Sequence, residues 1–323
     1  MPTAAFNDMV IHPRDNDLVL ATHGRGVWIL DNLTALQELT PQVLASETNL
    51  FSIPLAERIN YSREGAHTGD MFFSGENPSR GAIIDYYLKS PVAKSEITLE
   101  ILTMDGAMLQ KLRVDTTVGI NRSTWNLTGP SLPVRPTNPY DTTRRGGGFG
   151  SFFGFGSGGA PVMPGTYTAR LTVKGKSFEQ KFEVKDDPRL EISVEARKEW
   201  DNQLRQIMAL YSDIMDELKV VQQVQWAVEK LQGDKKIVDQ VIADEVKETT
   251  ELYNELLNRC RGLFGEVTNW TGSLTSDQLA QKEYYSEMIG KLAPRKKNIV
   301  DNIIPELNKL LDEKDKIKAS VEE

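Results

Sequence analysis

The stretch IADEVKETTELYNELLNRCRGLFGEV, residues 242–267, carries Ile242, Val246, Thr249, Tyr253, Leu256, Cys260, Leu263 and Val267 at alternating steps of four and three. That spacing places them on one face of an α-helix, as an a/d seam. Upstream, Leu204, Ile207, Met208, Tyr211, Ile214, Leu218, Val221 and Val224 form a second such face. Downstream, Tyr285, Ile289, Leu292, Ile299, Ile303, Leu307 and Leu310 form a third, opened by Thr275 with Gln278 as a capping box. Gly233 and the 272–276 region supply turns, so residues 190–323 read as an antiparallel three-helix bundle. Pro294 and Pro305 are expected to kink or restart the third helix. Aromatic and aliphatic stripes at this spacing are core rather than a cofactor box, and Cys260 reads as a small buried hydrophobe.

Before residue 186 the period changes from 3.6 to two. Residues 82–88, 96–103, 108–114, 121–127, 165–173 and 177–184 alternate as strands do, with glycine turns at Met104-Asp105-Gly106-Ala107 and Val173-Lys174-Gly175-Lys176. Short strands joined this way over residues 81–186 predict an Ig-like β-sandwich. A glycine-rich insertion, 142–161, interrupts it and is expected to be a mobile loop. Its Phe149, Phe152, Phe153 and Phe155 form a candidate flexible contact loop. Without GK[ST], or a strand–loop–helix context, it does not read as a phosphate cradle. Residues 33–80 read as a connector with one short strand near 50–53. Residues 1–32 read as β structure, with strands at 18–21 and 27–30 joined through His23-Gly24-Arg25-Gly26. A lone hairpin is marginal in water, so it must borrow a core from elsewhere.

Charge and composition narrow the function classes. The 323 residues carry a formal charge of −8, with 39% hydrophobic and 26% charged residues. Residues 1–185 hold 18 basic and 18 acidic side chains, and residues 186–323 hold 20 and 28, so the acidic excess lies wholly in the helical part. No basic footprint exists for nucleic acid or for an anionic membrane surface. No apolar run reaches the roughly 18 residues of a membrane span. One cysteine excludes an internal disulfide framework and a thiolate metal cage. His12, His23 and His67 fit no metal-ligand spacing, and no nucleophile elbow occurs. The reading therefore names no catalytic, cofactor-binding or metal residues. Sequons such as those at Asn32, Asn121, Asn126 and Asn269 have meaning only in a host that glycosylates.

The segment PTAAFNDMVIHPRDNDLVLATHGRGVWILDN, residues 2–32, closely resembles the last blade of sortilin-like propellers with bacterial neuraminidase-type repeats, often labelled glycosyl hydrolases in bacteria. The matching elements are His12-Pro13-Arg14-Asp15, Asp17-Leu18, Thr22-His23-Gly24-Arg25-Gly26 and Trp28-Ile29-Leu30-Asp31. The next part resembles the Ig-like fold of flagellar hook-capping proteins through Trp125-Asn126-Leu127 and Pro164-Gly165-Thr166-Tyr167-Thr168. Asp187-Pro188-Arg189 followed by long helices is similar to the C-terminus of the same bacterial proteins. The resemblance implies a partial last blade that belongs with upstream blades, in cis or in trans, and an extracytoplasmic parent. His23 and Arg25 would then lie on the rim of a propeller channel.

The function this implies is a non-catalytic C-terminal structural and interaction module serving a protein or glycan partner. Two alternatives stand beside it. One is the accessory end of a glycoside hydrolase whose active site lies in other blades. The other is a scaffold subunit that completes a partner's sheet.

Overall fold

The computed structural model describes residues 3–59, 77–140 and 159–317. The chain folds as sheets followed by a helical C-terminal region. Two compact units result: Met1–Pro130 with Pro161–Glu191, and Ser131–Ala160 with Ile192–Glu323.

The first unit opens with β1 (Phe6–Ile11), β2 (Leu18–Thr22) and β3 (Val27–Leu30), an antiparallel meander in the order β1-β2-β3. The β2–β3 turn needs both its glycines, because Gly24 and Gly26 sit at φ +74° and +71°. Thr22 Oγ1 closes this turn by donating to the Gly26 carbonyl at 2.7 Å. Two short helices follow, α1 (Thr34–Gln37) and α2 (Pro41–Ala45), the latter capped by Thr40 with Pro41 at its start.

The segment read as a connector then supplies a strand to each of two larger sheets. β4 (Thr48–Leu50) pairs antiparallel with β6 (Ala82–Leu88), and β5 (Ala56–Arg58) pairs parallel with the end of β11 (Lys176–Asp186). Between them Phe51 and Ile53 are buried. Three-residue strands are too short for alternation to show in sequence, which is why only one was expected. The sheets are completed by β7 (Ile97–Leu102), β8 (Met108–Leu112), β9 (Gly119–Trp125) and β10 (Gly165–Val173), in the orders β5-β11-β10-β7-β8 and β4-β6-β9.

One core lies between these sheets. Trp125 is its centre: its ring meets Tyr167 and Phe182 edge-on at 5.2 and 5.9 Å, and its indole N–H donates to the Thr128 carbonyl at 2.9 Å. Gly81 lies so near the Trp125 carbonyl that a Cβ would stand 2.0 Å from it, so only glycine fits there. The outer face of the three-stranded sheet is covered as well, with Ala35, Phe51 and Tyr87 in a small second core. β6 is therefore buried on both sides, and its central Asp85 is buried with it.

The second unit is built on α3 (Val194–Gly233), α4 (Gln240–Asn269) and α5 (Ser276–Asn298). Ser193, Asp239 and Thr275 cap their N-termini, and Thr275 with Gln278 makes the full capping box. α3 and α4 run antiparallel: Trp200 Nε1 donates to the Val267 carbonyl at 3.1 Å, and Cys260 lies against Ile207. α5 continues through Pro294, which lies inside the helix. Arg295 then forks onto Glu245 and Glu248 of α4, and Lys296 pairs with Glu217 of α3 at 2.7 Å. A π-helical turn, Ile299–Ile303, leads into α6 (Ile304–Asn308), where Pro305 occupies the first turn. Beyond it Leu311 takes the buried place expected of Leu310, which is exposed. Ile303 and Leu307 keep their expected buried places, but α6 ends at Asn308, so both leucines lie in a turn beyond it where a helical count no longer applies.

Residues Ser131–Tyr140, from between β9 and β10, belong to this helical unit. Leu132 is buried in its core, Tyr211 Oη donates to the Pro133 carbonyl at 3.4 Å, and Arg135 Nη2 donates to Asn258 Oδ1 at 2.6 Å. Lys230 Nζ stands 4.9 Å from the centre of the Tyr140 ring. From Pro133 to Tyr140 an extended chain covers about 22 Å at ~3.1 Å per residue. Tyr211 and Lys230 are separated by about 28 Å along α3 at ~1.5 Å per residue. The Tyr and Lys side chains span the difference, so the segment is an extended strap laid along α3.

Candidate interaction surface

Register determines which side chains share each face of the N-terminal sheet. Met9 pairs with Leu20 and Leu20 with Trp28; Ile11 pairs with Leu18 and Leu18 with Leu30. Paired residues of an antiparallel ladder lie on the same side, so these six share one face. Phe6, opposite Thr22 across a bulge, joins them. The other face carries Val10, Val19 and Ile29 in one row and Asp8, Ala21 and Val27 in the next. Apart from Asp8 and Thr22, near the bulged end, both faces are apolar.

Most of this surface is open to water. Met9 is 64% exposed, Val10 57%, Val27 66% and Ile29 61%. Leu20 alone of the strand residues is buried. Trp28 is held in place by its indole N–H, which donates to the Arg25 carbonyl at 3.0 Å, while the residue stays 42% exposed. A sheet with one solvated face alternates apolar and polar residues; apolar residues on both faces mark a sheet meant to be covered twice.

The sheet is joined to the rest of its unit through a polar cluster. Arg122 on β9 forks onto buried Asp85, Nε to Oδ1 at 2.8 Å and Nη2 to Oδ2 at 2.9 Å. The same guanidinium donates to the carbonyls of Asp31 and Asn32 at 3.0 and 3.3 Å. Asn32 is buried at φ 54°, its amide N–H donates to Asp17 Oδ1 at 2.8 Å, and its Oδ1 accepts from Thr34 Oγ1 at 2.6 Å. Burial, helped by the Asp17 charge, raises the Asp31 carboxyl above its ordinary pKa. The Asp85–Arg122 hydrogen bonds raise the Arg122 guanidinium still further. This is an orienting joint. The sequence signal for it was a single aspartate inside the apolar run AIIDYYL.

Of the residues singled out beforehand, His23 and Arg25 lie exposed on the β2–β3 turn. The His23 N–H donates to the Ala5 carbonyl, and the turn is held by Thr22 rather than by either side chain. Phe149, Phe152, Phe153 and Phe155 lie outside the described residues. His12 Nδ1 and Arg14 Nε both reach the Asp15 carboxylate, at 3.0 and 2.8 Å, and fix the β1–β2 turn. The Arg14 hydrogen bond holds that carboxyl below the usual range. Tyr86 turns into the core and bonds the Asp115 backbone, opposite in direction to its neighbour Asp85. Of the sequons, Asn32 and Asn121 are buried and hydrogen-bonded, so neither can carry a glycan in the folded chain.

In the helical unit an open depression of about 560 Å³ is lined by Arg259, Asp277, Gln281, Tyr284 and Tyr285. Arg259 is engaged by Glu255 and Tyr285 by Gln281. Among the described residues, no group of three His, Cys, Asp or Glu side chains could hold a metal ion. No described helix is long and apolar enough to cross a membrane. Burial pushes the Cys260 thiol up to about 12. Native Cys260 is therefore expected to be inert to iodoacetamide or a maleimide at pH 8, reacting only on denaturation. Stoichiometric native labelling, read by intact mass, would contradict this.

Comparison with family models, with characterised proteins and with solved structures returns no match.

Proposed function

We propose that this chain is a non-catalytic structural and interaction module, and that its N-terminal sheet forms one layer within a larger β assembly. The observation that carries this is the apolar character of both faces of β1–β3. A propeller blade is such a sheet, packed between two neighbours. Burying each large aliphatic or aromatic side chain is worth about 1.5–3 kcal/mol. Covering Phe6, Met9, Val10, Ile11, Val27, Trp28 and Ile29 thus gives ample drive for association. The resemblance of residues 2–32 to a last propeller blade supports the same reading, with upstream blades in cis or in trans. On it, the two larger sheets form an Ig-like β-sandwich and the helices an antiparallel three-helix bundle, bracing the propeller and presenting surface to protein or glycan partners. An extracytoplasmic setting for the parent follows from the resemblance alone.

The β1 and β3 edges, unpaired among the described strands, favour a second reading in which a partner's sheet is completed by strand addition. Single cysteines at the two faces test the main proposal. Val10→Cys and Met9→Cys are expected to react readily with maleimide in the isolated 323-residue chain and to be protected in the assembly formed in source cells. Equal reactivity of both positions in the two settings would overturn it. Protection of neither face but of backbone amides along β3, by hydrogen exchange, would favour strand addition instead.

A further inference from the structure

The strap that lies along α3 has a proline at every third position: GPSLPVRPTNPY, residues 129–140, places Pro130, Pro133, Pro136 and Pro139 in register. Three residues per turn is the repeat of a polyproline II helix, which presents three ridges and makes no internal hydrogen bonds. On the ridge Leu132, Arg135, Asn138, Leu132 is buried in the helical core and Arg135, itself exposed, bonds Asn258. On the other two ridges, Pro133–Pro136–Pro139 and Ser131–Val134–Thr137, every residue but the half-buried Pro136 is exposed, Val134 by 76%. Among the described residues the strap's only backbone partners are Tyr211, on the Pro133 carbonyl, and Asn138, on the Tyr140 N–H. The remaining carbonyls are left for other donors.

We propose that this outward face is a docking ligand for a protein partner whose groove is lined by parallel tyrosine and tryptophan rings. Such a groove takes two adjacent polyproline ridges between its rings, and the indole N–H or phenol O–H donates to the strap's carbonyls. The docked inner ridge holds the ligand already extended, so little conformational entropy is left to lose on binding. Stiffening alone would account for the prolines but leaves unexplained a wholly outward ridge with an aliphatic residue at its centre.

The test is calorimetric titration of the full chain with an SH3-type and a WW-type domain as aromatic-groove probes. At least one is expected to bind, with competition by free Ser131–Tyr140 peptide. Val134→Asp is expected to weaken that binding by about tenfold or more while leaving the thermal midpoint of the chain unchanged. Pro136→Ala is expected to weaken it as well. Failure of both probes to bind, binding to the peptide but not to the chain, or undiminished binding by Val134→Asp would each overturn the proposal.

Discussion

Replacing Arg122 by alanine is expected to lower the unfolding free energy of the sheet unit by about 3–5 kcal/mol. The pair it breaks is asymmetric: Asp85 is 3% exposed, whereas Arg122 reaches solvent. The loss thus falls almost wholly on a buried carboxylate left without its counter-charge, and on the Asp31 and Asn32 carbonyls left without their donor. Arg122→Lys should recover only part of the loss, because an ammonium cannot fork onto both carboxylate oxygens while serving two carbonyls. Asp85→Asn combined with Arg122→Ala should be less harmful than Arg122→Ala alone, since it removes the stranded charge. Urea unfolding of the four proteins measures this. A loss below about 1 kcal/mol for Arg122→Ala would mean that water reaches Asp85 and that the joint contributes little. Limited proteolysis gives a second readout, because a loosened joint should admit cleavage near residues 33–40.

Trp200→Ala is expected to cost about 3–5 kcal/mol in the helical unit. The side chain is fully buried between α3 and α4, its N–H satisfies a carbonyl in the last turn of α4, and Arg197 stacks over the ring at 4.4 Å. One substitution removes a large apolar volume, a helix-end hydrogen bond and a cation–π contact. For a unit of this size the thermal midpoint should fall by about 10 °C, read as helical ellipticity at 222 nm. Trp200→Phe, which keeps most of the apolar area, should recover more than half. Equal effects of the two substitutions would assign the stability to the indole hydrogen bond instead of to packing.

What the sequence disclosed, and what it hid, follows from how far each signal reaches along the chain. The seam from Ile242 to Val267 repeats over many turns, and every tooth of it is visible. The strands of the two larger sheets announce themselves by alternation and by glycine turns such as Gly106 and Gly175, both at positive φ. Thr48–Leu50 and Ala56–Arg58 are too short to alternate, and their partners lie far away in sequence. The strap carries a period of three, which no hydrophobic count for helices or strands detects, although its prolines stood in plain view. The Asp85–Arg122 pair joins residues 37 apart, and only the β6–β9 register brings them together. For the N-terminal sheet, the hairpin at Gly24 and Gly26 was legible. That apolar residues occupy both faces became clear only once β1 was placed against β2.

The path of the chain has a practical consequence for anyone cutting it. The backbone leaves the sheet unit after Pro130, returns at Pro161 and leaves again after Glu191. A protease nick near residue 191 therefore frees no helical domain: Leu132 remains seated in the helical core on the far side of the cut. Two bands should appear on a denaturing gel from a species that still elutes as one particle. An expression boundary drawn at residue 190 would instead yield helices with an open slot where Leu132, Arg135 and Tyr140 belong.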